Sequence, residues 1–370
     1  MKVGRWLHAT FAAALAVSAT GCAIPYGEAY LASFASGERA FHAGRYDEAA
    51  RAFDEAAGKA KRPKDRDEAR FMEARSFEHA EKWREARAAY ERLREDAPKG
   101  LRTERAQFEI AELEIAHGDA ALGWQMLEKA VVENPRFGVT APAIRRLIKH
   151  AQDQGGDAAA LAWLDAHVRV FDGTEEDQEV AYERAMTLER LGRPKEAHDA
   201  YLATAKKHPY PSGGLTDDAY WKAAAIDEAS GNFTEAITHL RELLAPRESS
   251  IGVGSYERSR YGQAQLHLGE IYRDGLKDDR AARREFHKLY ADHKTSPKRA
   301  EALWYEAILA KRDGDAGEAC DLANKIVKEF PESRYDRCAR EVCPSAPADK
   351  KPCADYIVRA MNGDKGGAGD

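Results

Sequence analysis

One spacing of small and apolar positions recurs along the chain. A small residue is followed seven positions on by a turn former, five further by a second small residue, and four further by an aromatic or aliphatic side chain. A proline closes many of the rounds. The first round reads Gly37, Gly44, Ala49, Phe53, and the second Ala74, Glu81, Ala86, Tyr90, Pro98. The third reads Ala111, Gly118, Gly123, Leu127, Pro135, and the fifth Ala185, Gly192, Ala197, Tyr201, Pro209. The sixth carries Ala224, Gly231, Ala236, Leu240, and the eighth Ala307, Gly314, Ala319, Ala323, Pro331. The seventh has Leu268 to Tyr272 before a longer turn, then Ala282 and Phe286. The fourth, about Pro142 to Phe171, is the most degenerate, with Gly155-Gly156 as its turn.

This spacing predicts two antiparallel helices per round. Helices approach closely only where small side chains face each other, which accounts for the small residue in each helix. Glycine ends the first helix in the left-handed conformation, and the late proline stops the second. One hairpin cannot bury its apolar face alone, so the units stack. The segments Lys59–Arg66, His208–Gly214 and Pro246–Gly254 read as loops between units, the last two long enough for a bend or hinge. The pattern ends at Pro344-Ser345-Ala346-Pro347. A short helix from Cys353 to Met361 and a mobile tail from Gly363 are expected beyond it.

At this spacing the chain resembles the tetratricopeptide repeats over residues 31–345. The resemblance implies an all-α, right-handed superhelical solenoid of about eight helix-turn-helix repeats, with a surface for binding other proteins and no catalytic role. The rounds run from 37 residues (Gly37 to Ala74) to 45 (Ala224 to Gly269), longer than the usual repeat of about 34. The segments Lys328–Tyr335 and Thr295-Ser296-Pro297 look like the joints of tetratricopeptide lipoproteins of cell-envelope assembly, of the outer-membrane-assembly or Tol-Pal-associated kind.

The start of the chain has a different character. Met1 to Arg5 is basic, and Leu7 to Val17 is apolar apart from His8 and Thr10. This run is too short to span a bilayer and has the size of a signal-peptide core. It ends in Ser18-Ala19-Thr20-Gly21-Cys22, which resembles the bacterial lipobox, although Ala19 stands where that motif usually has leucine. The resemblance implies a signal peptide over 1–21, acylation of Cys22, and a tether over 22–30. Ala23 in place of aspartate implies the outer membrane. An ordinary signal peptide with Cys22 incidental is the other reading.

Of five cysteines, one is Cys22 and four lie in the last part of the chain: Cys320, Cys338, Cys343 and Cys353. Four can pair among themselves, leaving Cys22 for another fate, and such clustering fits an oxidising compartment. A capping helix is expected after a turn at Pro331 to Ser333. Cys320 lies about eleven residues before that turn and Cys343 about eleven after, so they come level in an antiparallel pair. Cys338 would be offset by roughly 7 Å. Cys320–Cys343 with Cys338–Cys353 therefore fits best, with Cys320–Cys338 and Cys343–Cys353 as the alternative. Residues 346–370 would then be a disulfide-stapled segment and tail.

A row three residues before each first-helix small residue reads Phe34, Phe71, Phe108, Arg145, Tyr182, Trp221, Leu266, Trp304. It could line a concave peptide-binding surface, making Tyr182, Trp221 and Trp304 partner contacts. It could equally pack between hairpins, since positions three apart share a helix face, and that reading is favoured. The residues after the small ones, Glu38, Arg75 and Glu112 among them, should turn toward the groove, but their mixed charge names no ligand.

The net charge is −6. Losing Lys2 and Arg5 with the leader takes it to −8, which with no basic stripe argues against nucleic acid. The twelve histidines are scattered, with no metal-ligand spacing. Gly252-Val253-Gly254 lacks the context of a phosphate loop, and no nucleophile, base and acid come together. No cofactor, metal or small-molecule substrate is expected. Two functions remain: a lipid-anchored envelope scaffold on the periplasmic face of the outer membrane, serving assembly of outer-membrane proteins, pili or secretion pores, or a cell-wall or carbohydrate-processing accessory protein. The latter needs paired carboxylates in a closed cleft.

Overall fold

Two residues past the end of most second helices stands a proline, and the chain turns there. Pro98, Pro135, Pro209 and Pro331 follow helices that end at Asp96, Glu133, Lys207 and Glu329. The computed structural model describes residues 27–100, 102–246, 258–347 and 352–361. The leader 1–21, Cys22, most of the third loop and the final tail lie outside the described residues. Among the described residues the chain is helical, with no strand.

The chain divides into a first unit ending at Ala143 and a second beginning at Ile144. The first unit holds α1 (Glu28–His42), α2 (Tyr46–Lys59), α3 (Pro63–His79), α4 (Trp83–Asp96), α5 (Thr103–His117) and α6 (Ala120–Glu133). Each of these packs on the next. Helix α7 (Thr140–His167) follows, broken at Gly155 and Gly156 where repeat four was expected to turn. The second unit continues with α8 (Asp177–Arg190), α9 (Pro194–Lys207), α10 (Thr216–Ala229), α11 (Phe233–Leu244), α12 (Tyr261–Glu270), α13 (Asp279–Asp292), α14 (Arg299–Arg312) and α15 (Ala316–Glu329). From α8 to α15 each helix again packs on its successor.

The turns follow the local chemistry. Gly44, Gly192, Gly231 and Gly314 have φ of 73, 68, 80 and 83°, left-handed values that cost glycine nothing. Repeat two must hold Glu81 at φ 57° in the same place. Repeat three departs from expectation, because Gly118 has φ −126° and Asp119 caps the next helix by accepting from the Leu122 N–H. Asp278 and Asp315 cap α13 and α15 in the same way.

Three boundaries differ from those expected. The tether 22–30 is shorter, since α1 begins at Glu28 and Tyr30 is buried against Ala56 and Ala57. The loop Lys59–Arg66 is also shorter, because Pro63 starts α3 at its first position. The capping helix after Pro331 is only a 3₁₀ turn, Asp336–Cys338, and one turn of helix, α16 (Ala339–Val342). Pro344 forces Cys343 into extended backbone, φ −126° and ψ 103°, which ends the helix there.

The row of aromatics is core. Phe71, Phe108, Leu266 and Trp304 are buried, and Phe34, Tyr182 and Trp221 are half-buried. In several repeats the row residue meets a second-helix ring nineteen positions on: Phe34–Phe53 at 5.2 Å, Phe71–Tyr90 at 5.5 Å and Tyr182–Tyr201 at 5.3 Å between centroids. Where the row residue is the large Trp304, the second helix offers the small Ala323 in the same cluster, large facing small. The second-helix tyrosines are also tied by their hydroxyls. Tyr90 donates to Glu78 at 3.0 Å and Tyr201 to Glu189 at 2.7 Å, each acceptor lying four residues past the small residue.

The second unit ends in a covalent staple. Cys320 is bonded to Cys343 and Cys338 to Cys353. These links hold α17 (Asp355–Met361) against the last hairpin, where Ile357 joins the cluster of Trp304, Tyr335 and Val342.

Candidate protein-binding surfaces

The residues expected at a partner groove fall into two sets. Glu38, Arg75 and Glu112 belong to the first unit, and Tyr182, Trp221 and Trp304 to the second, so neither unit holds all six. Glu38 is exposed. Arg75 is half-buried with its guanidinium 5.7 Å over the Phe41 ring, and Glu112 is half-buried. Trp304 is 2% exposed and stacks on Tyr335 at 5.8 Å, so it presents no groove surface. Trp221 is half-buried between His267, 5.3 Å away, and Arg260, whose guanidinium lies 5.5 Å over the ring. Tyr182 packs into the core, and burial raises its hydroxyl to about 12.

A different surface is prominent in the second unit. Arg280, Arg283, Arg284, His287 and Lys288 of α13 line a recess of about 660 Å³ with Glu306 of α14 and Glu318 of α15. Arg283 pairs with Glu318 and, at 2.9 Å, with Asp313. Lys288 lies 3.1 Å from Glu285. No described carboxylate pairs with Arg280 or Arg284, which are exposed. Glu306, 4% exposed, takes a 3.2 Å contact from His287 at Oε1, while its buried Oε2 has no hydrogen-bond partner among the described residues. Burial pushes the Glu306 carboxyl above the usual range, against the pull of His287. The recess therefore offers cations at its rim and one unsatisfied acceptor on its floor. Sequence reading passed over it, although the spacing of Arg280, Arg283, Arg284 and His287 puts them on one helix face.

Several other buried carboxylates are held in ion pairs, although buried Glu176 also has an oxygen without a hydrogen-bond partner among the described residues. Glu73 binds Arg70 at 2.8 Å and Arg92 at 2.9 Å, Glu114 binds Arg87, and Asp177 binds Lys207 at 2.8 Å. In the recess, Glu306 and Glu318 stand among five basic side chains, with Glu318 already paired.

The histidines correct an expectation. They lack metal-ligand spacing along the chain, yet His198 of α9, Asp227 of α10 and His239 of α11 converge, with one ligand atom of each within 4.8 Å of the others. Elsewhere His117 stacks on Trp83 at 3.7 Å and 6°. His267 bridges Glu228 at 2.7 Å and Glu270 at 3.1 Å. Among the described residues no helix is long and apolar enough to cross a membrane.

Sequence models of the tetratricopeptide repeat match residues 182–251, and again 68–100 and 301–333. A comparison with curated proteins finds no match. Among solved structures the chain is similar to PilW, a widely conserved type IV pilus biogenesis factor, at 16% identity and TM-score 0.32, covering 74% of this chain and 97% of that one. It is similar to the C-terminal part of a repeat-containing protein from Cytophaga hutchinsonii at 16% identity and TM-score 0.40, covering 73% and 98%. A tetratricopeptide repeat protein from Parabacteroides merdae matches at 12% identity and TM-score 0.32, covering 75% and 98%.

Proposed function

Taking the chain as a carrier of tetratricopeptide repeats, we propose that it is a lipid-anchored scaffold of the bacterial cell envelope that holds a partner protein through the basic recess on α13. Such repeats are typically non-catalytic interaction platforms. The observation that carries the reading is the recess itself, where five basic side chains gather on an otherwise acidic chain. An acidic segment of the partner would meet Arg280 and Arg284, which have no described counter-ion, and a donor from it would satisfy Glu306 Oε2. Charge complementarity of this kind speeds encounter and sets register.

The envelope address rests on two further features. The apolar leader and Cys22 resemble a lipoprotein start, and two disulfides near the end of the chain fit an oxidising compartment. Two or more acyl chains on Cys22 would anchor the protein stably.

The experiment is affinity capture from detergent-solubilised envelopes, comparing the native chain with an Arg280→Glu, Arg284→Glu double variant. A partner captured by the native chain and lost by the variant is expected, with unchanged circular dichroism. Equal capture by both removes the recess from the reading. Membrane fractionation of Cys22→Ala tests the anchor: release into the soluble fraction is expected, and retention would reject acylation as the anchor.

A further inference from the structure

We infer that His198, Asp227 and His239 form a binding site for a divalent transition-metal ion of the zinc class, which would tie α9, α10 and α11 together. Three observations carry this. The first is distance. His198 Nε2 lies 3.1 Å and His239 Nε2 3.4 Å from the same oxygen, Asp227 Oδ2. Ligand atoms around a tetrahedral zinc ion, at the usual metal–nitrogen and metal–oxygen lengths, stand about 3.3 Å apart. Two edges of the tetrahedron are thus already formed, and the third, between the two rings, is no more than 4.8 Å.

The second observation is the outer contact of each ring. His198 Nδ1 lies 3.2 Å from Asp199 Oδ1, and His239 Nδ1 lies 3.4 Å from Glu242 Oε2. A carboxylate beside Nδ1 fixes that nitrogen as the donor and leaves the Nε2 lone pair free, the arrangement that orients histidines on zinc. Two nitrogen lone pairs and a carboxylate oxygen then face one another. Either each ring donates an N–H to Asp227 Oδ2 or one shared metal ion lies between the three ligand atoms.

The third is setting. The side chains of His198, Asp227 and His239 are 19, 8 and 12% exposed. The Tyr220 ring lies 6.3 Å from that of His239, nearly parallel at 21°. The ligands are held by three helices of neighbouring hairpins, so their geometry is set by packing rather than by a loop, while enough exposure remains for a fourth ligand from water. Imidazole and carboxylate together suit zinc and its neighbours better than calcium or magnesium, which prefer all-oxygen sites.

The test uses the full chain, stripped with chelator and titrated with zinc and, separately, with cobalt. Calorimetry should show one zinc ion bound per chain that is lost in His198→Gln, His239→Gln and Asp227→Asn, and retained in His79→Gln, an exposed histidine elsewhere. Asp199→Asn and Glu242→Gln should weaken affinity about tenfold. Cobalt should give the intense visible absorption of a four-coordinate nitrogen and oxygen site, without the near-ultraviolet band of a thiolate ligand, which separates it from binding at Cys22. Zinc should also raise the melting temperature of the native chain. Should the ligand variants misfold, the cobalt spectrum of the native chain decides. No visible band, or zinc binding unchanged in the three ligand variants, would overturn the site and leave two rings hydrogen-bonded to Asp227.

Discussion

The ring of Phe53 lies directly over Gly37, so that a β-carbon at position 37 would stand 2.7 Å from Cε1. Phe286 closes on Gly269 in the same way, at 2.3 Å. These are the first-helix small positions of repeats one and seven, and there only glycine leaves room for the phenylalanine. Gly37→Ala gains about 1 kcal/mol of helix propensity but forces overpacking that costs about 1–3 kcal/mol. A net loss of stability, read by denaturant unfolding, is expected. A gain would show that the ring swings aside freely.

Repeats two and five have alanine at that position and tyrosine opposite, and the hydroxyl is anchored. Tyr201 donates to Glu189 at 2.7 Å, and burial with that carboxylate raises the phenol well above its usual range. Tyr201→Phe leaves the ring in place and removes a bond to a charged acceptor, at a cost of about 1.5–3 kcal/mol. Since Glu189 also reaches Lys222 at 3.1 Å, the lower figure is expected in urea titration.

Glu81 holds a left-handed backbone that Gly192 adopts without strain. Glu81→Gly should stabilise the first unit by about 1 kcal/mol, whereas Gly192→Val should destabilise the second. Calorimetric melting of both variants checks the sign. Opposite shifts are expected, and parallel ones would contradict the shared turn.

The two row tryptophans should behave unequally. Trp304→Ala opens a cavity in the last repeat and should cost about 3–5 kcal/mol. Trp221→Ala, half-buried beneath Arg260 and His267, should cost less. Iodide should quench a variant that keeps only Trp221 more readily than one that keeps only Trp304.

His267 predicts a pH dependence. Burial opposes its protonation, but Glu270 and Glu228 outweigh burial and hold its pKa above the usual imidazole value. A raised folded pKa stabilises fully below the unfolded value of about 6.5 and is lost as pH rises through the folded value. Melting temperature should therefore contain a component that declines above about pH 6.5. Comparison with His267→Gln across that range isolates it, and matching declines in both proteins would assign it elsewhere.

The hairpins were legible because their signals are local. Gly192 and Pro209 mark their turns through backbone chemistry that few other residues share. The aromatic row could be placed in the core because Trp304 lies three residues before Ala307, on one helix face. What escaped depended on distance along the chain. His198 and His239 are brought together by the packing of α9, α10 and α11, with Asp227 between them, and no short motif records that. The expectation of no basic stripe missed α13, whose spacing puts four basic side chains on one face, and the recess they line is completed only by Glu306 and Glu318 of later helices. The capping helix fell short at its start, because the chain is still turning over residues 331–335 and then takes a 3₁₀ turn at Asp336–Cys338 before α16 begins.

Ion pairs between residues about one repeat apart recur inside both units. Arg102 meets Glu68, Lys82 meets Asp47, Arg190 meets Asp157, Lys222 meets Glu189, and Arg334 meets Glu301, at separations of 33 to 35 residues. Each is half open to solvent and contributes about 0–1 kcal/mol alone. Placed at joint after joint, they act as a series of weak clasps between neighbouring hairpins. Added salt weakens such exposed pairs as the Debye length shrinks from about 10 Å at 0.1 M to about 3 Å at 1 M, while the apolar cores that define each hairpin are untouched. Ionic strength should thus work as a stiffness control, loosening the hinge between successive hairpins without unfolding any of them.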